Sequence, residues 1–145
     1  MSDVLKLAQK PAIGITRDTS LRKALELMRD ERIGAVVVLE GGHAAGIFSE
    51  RDLMCRVVLA EKTADGTTVG DVMTAPVLTV RAGTEPTDAM SLMLEKHIRH
   101  LPVVDEAGTV LGMLSIRHLM CDLMDELKDR ADAAEAYMTY DGATG

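Results

Sequence analysis

The chain has 145 residues, a formal net charge of −7 at neutral pH, and 47% hydrophobic residues against only 2% aromatic ones. A chain of this length forms one compact domain or two small halves that share a core. The acidic balance and the scarcity of aromatic side chains argue against a protein that binds nucleic acid or an anionic membrane surface, because both partners require a basic footprint.

Two further features bear on the compartment of the protein. No apolar run approaches the roughly 20 residues that a membrane-spanning helix requires, and the N-terminus lacks the basic start and apolar core of a secretion signal. Cys55 and Cys121 are not spaced like a metal site and fit small, buried, reduced thiols. We therefore expect a cytoplasmic protein with no membrane partner.

The first unit along the chain is predicted to be a helix, two strands and a second helix. Leu21, Ala24 and Met28 recur at the spacing of one helical face after a start that contains threonine and serine. A run of β-branched residues at 35–39 predicts a strand buried on both faces, and a glycine-containing turn leads from it to a second strand. A second helix is predicted to begin at Ser49.

The same pattern returns 65 residues later, and the offset becomes 66 after one extra residue in the second turn. Residues 46–55 and 112–121 have six identities in ten pairs, among them a glycine, a serine, an arginine and a cysteine in the same order. Shared amphipathicity would not produce these matches, so duplication explains them better. The predicted segments are a first repeat at 3–60, a linker at 61–71, a second repeat at 72–125, and a C-terminal helix and tail at 126–145.

The segment after the second repeat is charged and helix-prone. Leu123, Leu127, Ala131 and Ala134 form a thin apolar stripe along it. Such a stripe suits docking either on the repeats themselves or on a second subunit.

Each copy ends in a glycine, two hydrophobic residues, a serine, a variable residue, an arginine, and an aspartate or histidine before leucine. Together with the sequence segments at 69–74 and 98–104, this motif resembles a tandem CBS domain pair (a Bateman module) of the stand-alone bacterial type. The resemblance implies an α+β fold of two β-α-β-β-α repeats packed with pseudo-twofold symmetry, followed by the C-terminal helix. It also implies two clefts for adenosyl ligands such as AMP, ADP, ATP, NAD or S-adenosylmethionine, and a homodimer.

The motif at 49–52 carries the clearest chemistry. Ser49 at a helix start offers a hydroxyl where free N–H groups favour a phosphate, and the Asp52 carboxylate can accept both hydroxyls of a ribose, while Arg51 screens charge. The same Ser-x-x-Asp spacing is also a capping arrangement that simply starts a helix. Taken alone, the spacing favours a role in capping the helix. Within a duplicated module of this family it favours a role in binding a ligand, and the two roles are compatible.

By the resemblance, this motif of the first repeat shares a cleft with the start of the central strand of the second. Arg99 would bind a phosphate in a forked geometry, and His100 would add positive charge near neutral pH. Ile47, Phe48 and Pro102 would supply apolar walls for the adenine. The alternative is that the basic pair is solvated at a strand edge. The residues expected to line this main cleft are Ile47, Phe48, Ser49, Arg51, Asp52, Thr79, Arg99, His100 and Pro102.

The second cleft departs from the family pattern. Ser115 is retained, but His118 stands where the ribose-binding aspartate is expected, and a neutral imidazole accepts only one hydrogen bond. Gly34 and Ala35, at the start of the first buried strand, bring no positive charge to it. We expect this cleft to be weak, empty or adapted to a different group.

The sequence shows no activated nucleophile, no paired acids in a glycine-rich loop, and no histidine or cysteine spacing typical of zinc. We therefore expect no catalytic residues and no metal. The function predicted is a regulatory module whose conformation or dimer geometry responds to an adenine nucleotide and acts on an unidentified regulated protein. The alternative is a structural protein-interaction module with vestigial nucleotide clefts, and a small hydrolase or transferase is a third, less favoured class.

Overall fold

The structure is a computed structural model that describes residues 3–144, with side chains up to residue 138. Within these residues, each half of the chain forms one three-stranded sheet with helices around it. The strands are β1 (Gly14–Ile15), β2 (Ala35–Glu40), β3 (His43–Ser49), β4 (Val80–Arg81), β5 (His100–Val104) and β6 (Val110–Ser115). The helices are α1 (Val4–Leu7), α2 (Leu21–Glu31), α3 (Glu50–Asp52), α4 (Val69–Val72), α5 (Pro86–Lys96) and α6 (Ile116–Thr144). The predicted α+β fold of two β-α-β-β-α repeats is confirmed.

The two sheets have the same topology and matching registers. In each, the short first strand runs parallel to the central strand, which is antiparallel to the third. Ala35 pairs with Ser49 in the first sheet, and His100 pairs with Ser115 in the second, so the start of each central strand lies beside a helix start. The valines at 36–38 have no exposed surface, as the predicted burial on both faces requires.

The helix α2 forms because one of its faces is apolar and its start is capped. The Ser20 hydroxyl accepts a hydrogen bond from the Lys23 N–H at 3.2 Å, which satisfies a backbone donor that the first turn leaves free. Leu21, Ala24 and Met28 are buried in the hydrophobic core of the first repeat (the first core), which confirms the predicted apolar face of the helix.

The two repeats exchange the segments that precede their first strands. Val4 of α1 lies in the core of the second repeat, and Val69 of α4 lies in the core of the first. The Val4 N–H donates to the Thr84 carbonyl at 3.1 Å, and the Val69 N–H donates to the Thr19 carbonyl at 2.9 Å, so the same contact is made in both directions. Each hydrophobic core therefore contains side chains from both repeats, and neither core is complete without the other half of the chain.

The predicted linker at 61–71 is only partly a free surface segment. Thr67 is buried, and its carbonyl accepts a hydrogen bond from the Leu21 N–H at 2.9 Å. Asp65 forms an ion pair with Arg22 close by. The linker is thus fastened to the start of α2, and its last residues already belong to α4.

The C-terminal helix is continuous with the second repeat. α6 begins at Ile116 and runs without a break past the predicted boundary at 126. Every residue from 124 to 138 is exposed, so the predicted stripe does not dock on the repeats of this chain from Leu127 onwards, whereas Leu123 is half-buried. Neither α6 nor another helix in the described part of the chain combines the length and apolar character needed to cross a bilayer. Gly145, the end of the predicted tail, lies outside the described residues.

The two cysteines differ from expectation. Cys55 and Cys121 are both exposed rather than buried. Cys121 follows the fully buried Leu119 by two residues, which places it on the opposite side of α6. Cys55 lies in a π-helical segment, Leu53–Val58, that continues α3 and buries Val57 instead.

Candidate functional site

Ser49 and Asp52 form a reciprocal cap at the point where β3 turns into α3. The Ser49 N–H donates to Asp52 Oδ2 at 3.0 Å, and the Asp52 N–H donates to Ser49 Oγ at 3.4 Å. Each side chain thereby satisfies a backbone donor near the helix start. The capping role that the spacing allowed is therefore present in the structure.

The Asp52 carboxylate is nearly saturated by partners within the chain. Its Oδ2 also accepts the Ser49 hydroxyl at 3.2 Å, while its Oδ1 accepts the Thr74 hydroxyl at 2.7 Å and lies 3.5 Å from Arg56 Nε. The residue is only 6% exposed. Because a carboxylate offers about four acceptor positions, a ribose can place both hydroxyls on Asp52 only if one of these partners moves away.

Sequence reasoning did not single out Thr74 or Arg56 as site residues. Arg56 could have been found, because a basic residue four positions after an acidic one on a helix is a common pairing. Thr74 reaches Asp52 because α4, which lies just before Thr74 in the chain, packs in the core of the first repeat. No spacing of residues within one repeat indicates this packing.

His118 replaces the aspartate in the second repeat and makes the same kind of cap. The Ser115 N–H donates to His118 Nδ1 at 3.3 Å, and the His118 N–H donates to Ser115 Oγ at 3.2 Å. A ring nitrogen that accepts a hydrogen bond carries no proton, so this geometry assigns a neutral imidazole protonated at Nε2. Burial lowers the pKa of His118, and the charge of Arg117 lowers it further. The start of α6 therefore lacks the carboxylate that the first repeat has.

The starts of the two central strands, β2 and β5, meet at Gly34 and His100. A Cβ atom on Gly34 would lie 3.3 Å from His100 Cε1 and 3.2 Å from Glu50 Oε1, so the imidazole and the carboxylate both approach the Gly34 backbone closely. The Glu50 N–H donates to the Gly34 carbonyl at 3.0 Å, and the Ile116 N–H donates to the Arg99 carbonyl at 2.8 Å. Each strand start is thus fastened to the helix start of its own repeat, and the two strand starts face each other.

This contact joins His100, which was predicted for the main cleft, to Gly34, which was predicted for the second cleft. The helix start that holds Ser49 is joined through Glu50 and Gly34 to the strand start that holds His100. Within the described side chains, no hydrogen bond or ion pair of Asp52 reaches the start of β5. Glu50 was not singled out from the sequence, because it occupies a variable position of the motif.

His100 does not carry the positive charge expected near neutral pH. It is partly buried, and that burial lowers its pKa below the usual 6.5; His118 in its protonated form and the charge of Arg99 lower the pKa further. The imidazole is therefore neutral at pH 7. Arg99 is exposed and, within the described residues, forms no ion pair, so it supplies the positive charge at the start of β5.

The remaining predicted residues differ in their access to solvent. Phe48 is fully buried and packs in the first core, so it does not present the expected wall to an adenine. Pro102 and Ala35 are buried in their central strands. The remaining predicted residues that keep exposed or partly exposed surface are Ile47, Arg51 and Thr79.

A cavity of about 470 Å³ opens elsewhere, at the start of α2. It is lined by Ile15, Thr16, Asp18, Thr19, Ser20, Lys23 and Leu27. All of these belong to the first repeat, and none was predicted to bind a ligand. The cavity is therefore distinct from the contact between the repeats.

The family model of the CBS domain matches the chain twice, at residues 2–58 and 69–125. The chain belongs to the CBS domain family. The two matches correspond to the two repeats recognised in the sequence, so the predicted tandem CBS pair is confirmed.

Known CBS proteins resemble the chain over most of its length. It is 33% identical over 147 residues to the mitochondrial CBS domain-containing protein CBSX3 of Arabidopsis thaliana, covering 95% of this chain and 71% of that protein. A solved CBS-domain protein from Burkholderia ambifaria is 32% identical with a TM-score of 0.80, over 86% of this chain and 95% of that one. CBSX2, solved in complex with AMP, is 27% identical with a TM-score of 0.74, over 86% of this chain and 98% of that one. Several other curated relatives are much longer, and the chain spans only 15% to 48% of their length.

Proposed function

We propose that the chain is a regulatory, non-catalytic module that binds AMP or a related adenosyl ligand where the first repeat meets the second. The observation that carries the proposal is the convergence of Gly34, Glu50 and His100, in which side chains from both repeats approach the Gly34 backbone closely. The similar structure of CBSX2 was solved with AMP, which supports the choice of ligand.

The residues around this contact suit a nucleoside monophosphate. The guanidinium of Arg99 is exposed and can bind a phosphate in a forked geometry. Asp52 Oδ1 would accept one ribose hydroxyl in place of Arg56, whose Nε at 3.5 Å is too far for a normal hydrogen bond. The cap to Ser49 and the bond from Thr74 stay in place in this arrangement, so the helix start keeps its structure.

Glu50 disfavours highly charged ligands. Its carboxylate lies beside Gly34, and the neutral His100 does not compensate that negative charge. Each additional phosphate brings more negative charge towards the carboxylate, which costs electrostatic free energy at short range. We therefore expect affinity to decrease from AMP to ADP to ATP.

The second cleft lacks these features. Neutral His118 has a single acceptor nitrogen, and this nitrogen already accepts a hydrogen bond from the Ser115 N–H. Ala35 is buried and cannot contact a ligand there. We therefore expect a single bound ligand per chain.

Isothermal titration calorimetry with AMP tests the proposal. Gly34→Val adds a side chain in the space beside Glu50 and His100, and it is expected to weaken AMP binding by about tenfold or more. Gly83→Val is the matched control, because a Cβ atom at Gly83 would meet no other atom within 4 Å. The proposal is wrong if the wild-type chain binds no adenosyl compound, or if both variants bind AMP equally well.

A structural interaction module with vestigial clefts is the second candidate. The observation that favours it is the near-complete satisfaction of Asp52 and His118 by their own caps. If AMP, ADP, ATP, NAD and S-adenosylmethionine produce neither heat nor a shift in melting temperature, this second function replaces the first.

A further inference from the structure

α6 carries an exposed apolar stripe with the spacing of a coiled coil. Along the helix, apolar residues recur at alternating intervals of four and three positions. The stripe consists of Met120, Met124, Leu127, Ala131, Ala134 and Met138. Three of its larger side chains, Met124, Leu127 and Met138, are 66%, 63% and 72% exposed. The mean period of 3.5 residues is the one that keeps a single seam of a helix in contact with a partner helix.

The exposed part of the helix lacks the packing that normally stabilises a helix. Leu119 is buried in the second core, but from residue 124 to 138 no side chain is buried against the described part of the chain. Isolated helices of about 12 to 15 residues are marginal in water, because most helical stability in proteins comes from a packed apolar face. A partner that covers the stripe would supply this packing.

We propose that this stripe pairs with the same stripe of a second copy, as a parallel two-stranded coiled coil with the helices in register. The partner must present an apolar seam of the same period and length, and a second copy does so by twofold symmetry. Leu127 then packs against Leu127 of the second copy and Met124 against its Met124. The small Ala131 and Ala134 allow the two helices to approach closely between the larger layers.

The charges beside the stripe select the parallel arrangement. With Leu127 and Ala134 at d positions, Arg130 occupies a g position and Glu135 the following e position, so Arg130 of each copy lies against Glu135 of the other. An antiparallel pair that overlaps the same stripe would instead set Lys128 against Lys128 and Arg130 against Arg130. The parallel arrangement thus gains two attractive pairs, while the antiparallel one brings like charges together.

Sedimentation of the full chain in an analytical ultracentrifuge tests the surface. We expect a dimer whose dissociation constant rises about tenfold or more in Leu127→Lys, and stays unchanged in the control Ala136→Lys on the other side of the same exposed helix. Both positions are exposed, and circular dichroism checks that both variants fold. A monomeric wild-type chain, or a Leu127→Lys variant that dimerises like the wild type, would overturn the inference. Neither result depends on a nucleotide.

Charge reversal and crosslinking test the orientation. Glu135→Arg is expected to weaken association, and the double variant with Arg130→Glu is expected to restore it, because the attractive pair is re-formed with its charges exchanged. In a chain that carries Cys55→Ser and Cys121→Ser, Ala134→Cys is expected to give a disulfide-linked dimer on oxidation with copper phenanthroline, since a d position faces its own counterpart only in the parallel pair. Failure to restore association, or the absence of the disulfide, would contradict the parallel arrangement.

Discussion

The Thr74 hydroxyl donates to Asp52 Oδ1 at 2.7 Å and so ties the segment that leads into the second repeat to the helix start of the first. The acceptor is buried, and a buried acceptor that loses its donor costs more free energy than the bond itself contributes. This bond therefore links the stability of the fold to the integrity of the candidate site.

Thr74→Val keeps the shape of the side chain but removes the donor. We expect the free energy of unfolding to decrease by about 1–3 kcal/mol, measured by urea denaturation. Thr87→Val, at an exposed position of α5, is the control and should change that free energy by less than about 0.5 kcal/mol. Equal stability of the two variants would show that the bond contributes nothing.

The exchange of α1 and α4 should make the two repeats unfold together. Val4 has no exposed surface and lies in the second core, so Val4→Ala is expected to lower the free energy of unfolding by about 2 kcal/mol while the transition stays single. Val58→Ala, at a valine that is 63% exposed, provides the control with little effect. Two separate unfolding transitions in urea, one for each repeat, would contradict the packing of α1 and α4 in the cores of the opposite repeats.

The neutral histidines near the repeat contact should make the protein sensitive to acid. Burial holds the pKa values of His100 and His118 below 6.5, so at mildly acidic pH the unfolded chain binds protons that the folded chain does not. The free energy of unfolding therefore decreases as the pH falls through about 6.5 towards the folded pKa values, and these groups cause no loss above about pH 7. Urea denaturation at about pH 7.5 and about pH 5.5 measures the difference.

A pair of variants assigns this pH dependence. His100→Gln is expected to reduce the loss of stability on acidification, since one of the two histidines is removed. His97→Asn is the control, because His97 is exposed and asparagine tolerates its left-handed backbone at φ 55°; the loss should persist in it. An unchanged loss in His100→Gln would mean that the burial of His100 does not contribute to the acid sensitivity.

The cap at the start of α6 can be improved. His118→Asp creates the same capping box that Ser49 and Asp52 form, and it places a negative charge at a helix N-terminus near Arg117. We expect the free energy of unfolding at neutral pH to increase by about 0.5–1 kcal/mol, whereas His118→Ala should decrease it by about the same amount. A less stable His118→Asp variant would show that the imidazole makes contacts beyond the cap.

The sequence allowed the fold to be predicted because each repeat carries its own local signals. The valines at 36–38 indicated a buried strand and Ser49 with Asp52 indicated a helix start, and both are seen. The contacts made between the repeats were harder to predict. The hydrogen bond from Thr74 to Asp52 and the approach of His100 to Gly34 depend on how two complete repeats pack, which no spacing within one repeat encodes.

Predictions of charge and burial were less successful for the same reason. His100 was expected to be positive, and its neutral state follows from a burial that only the packed repeats create. Phe48 was expected to face a ligand, and Cys55 and Cys121 were expected to be buried, but a sequence repeat does not specify which side of each element faces the core. Arg56 was also not singled out, although its spacing of four residues from Asp52 is visible in the sequence.

A crystal structure of the chain grown with AMP tests the central claim most directly. We predict one AMP per chain between the starts of β2 and β5, with its phosphate on Arg99 and its sugar near Asp52 Oδ1, in contact with Gly34 and His100. AMP bound instead in the cavity at the start of α2, or a wild-type crystal without AMP at saturating concentration, would contradict the account.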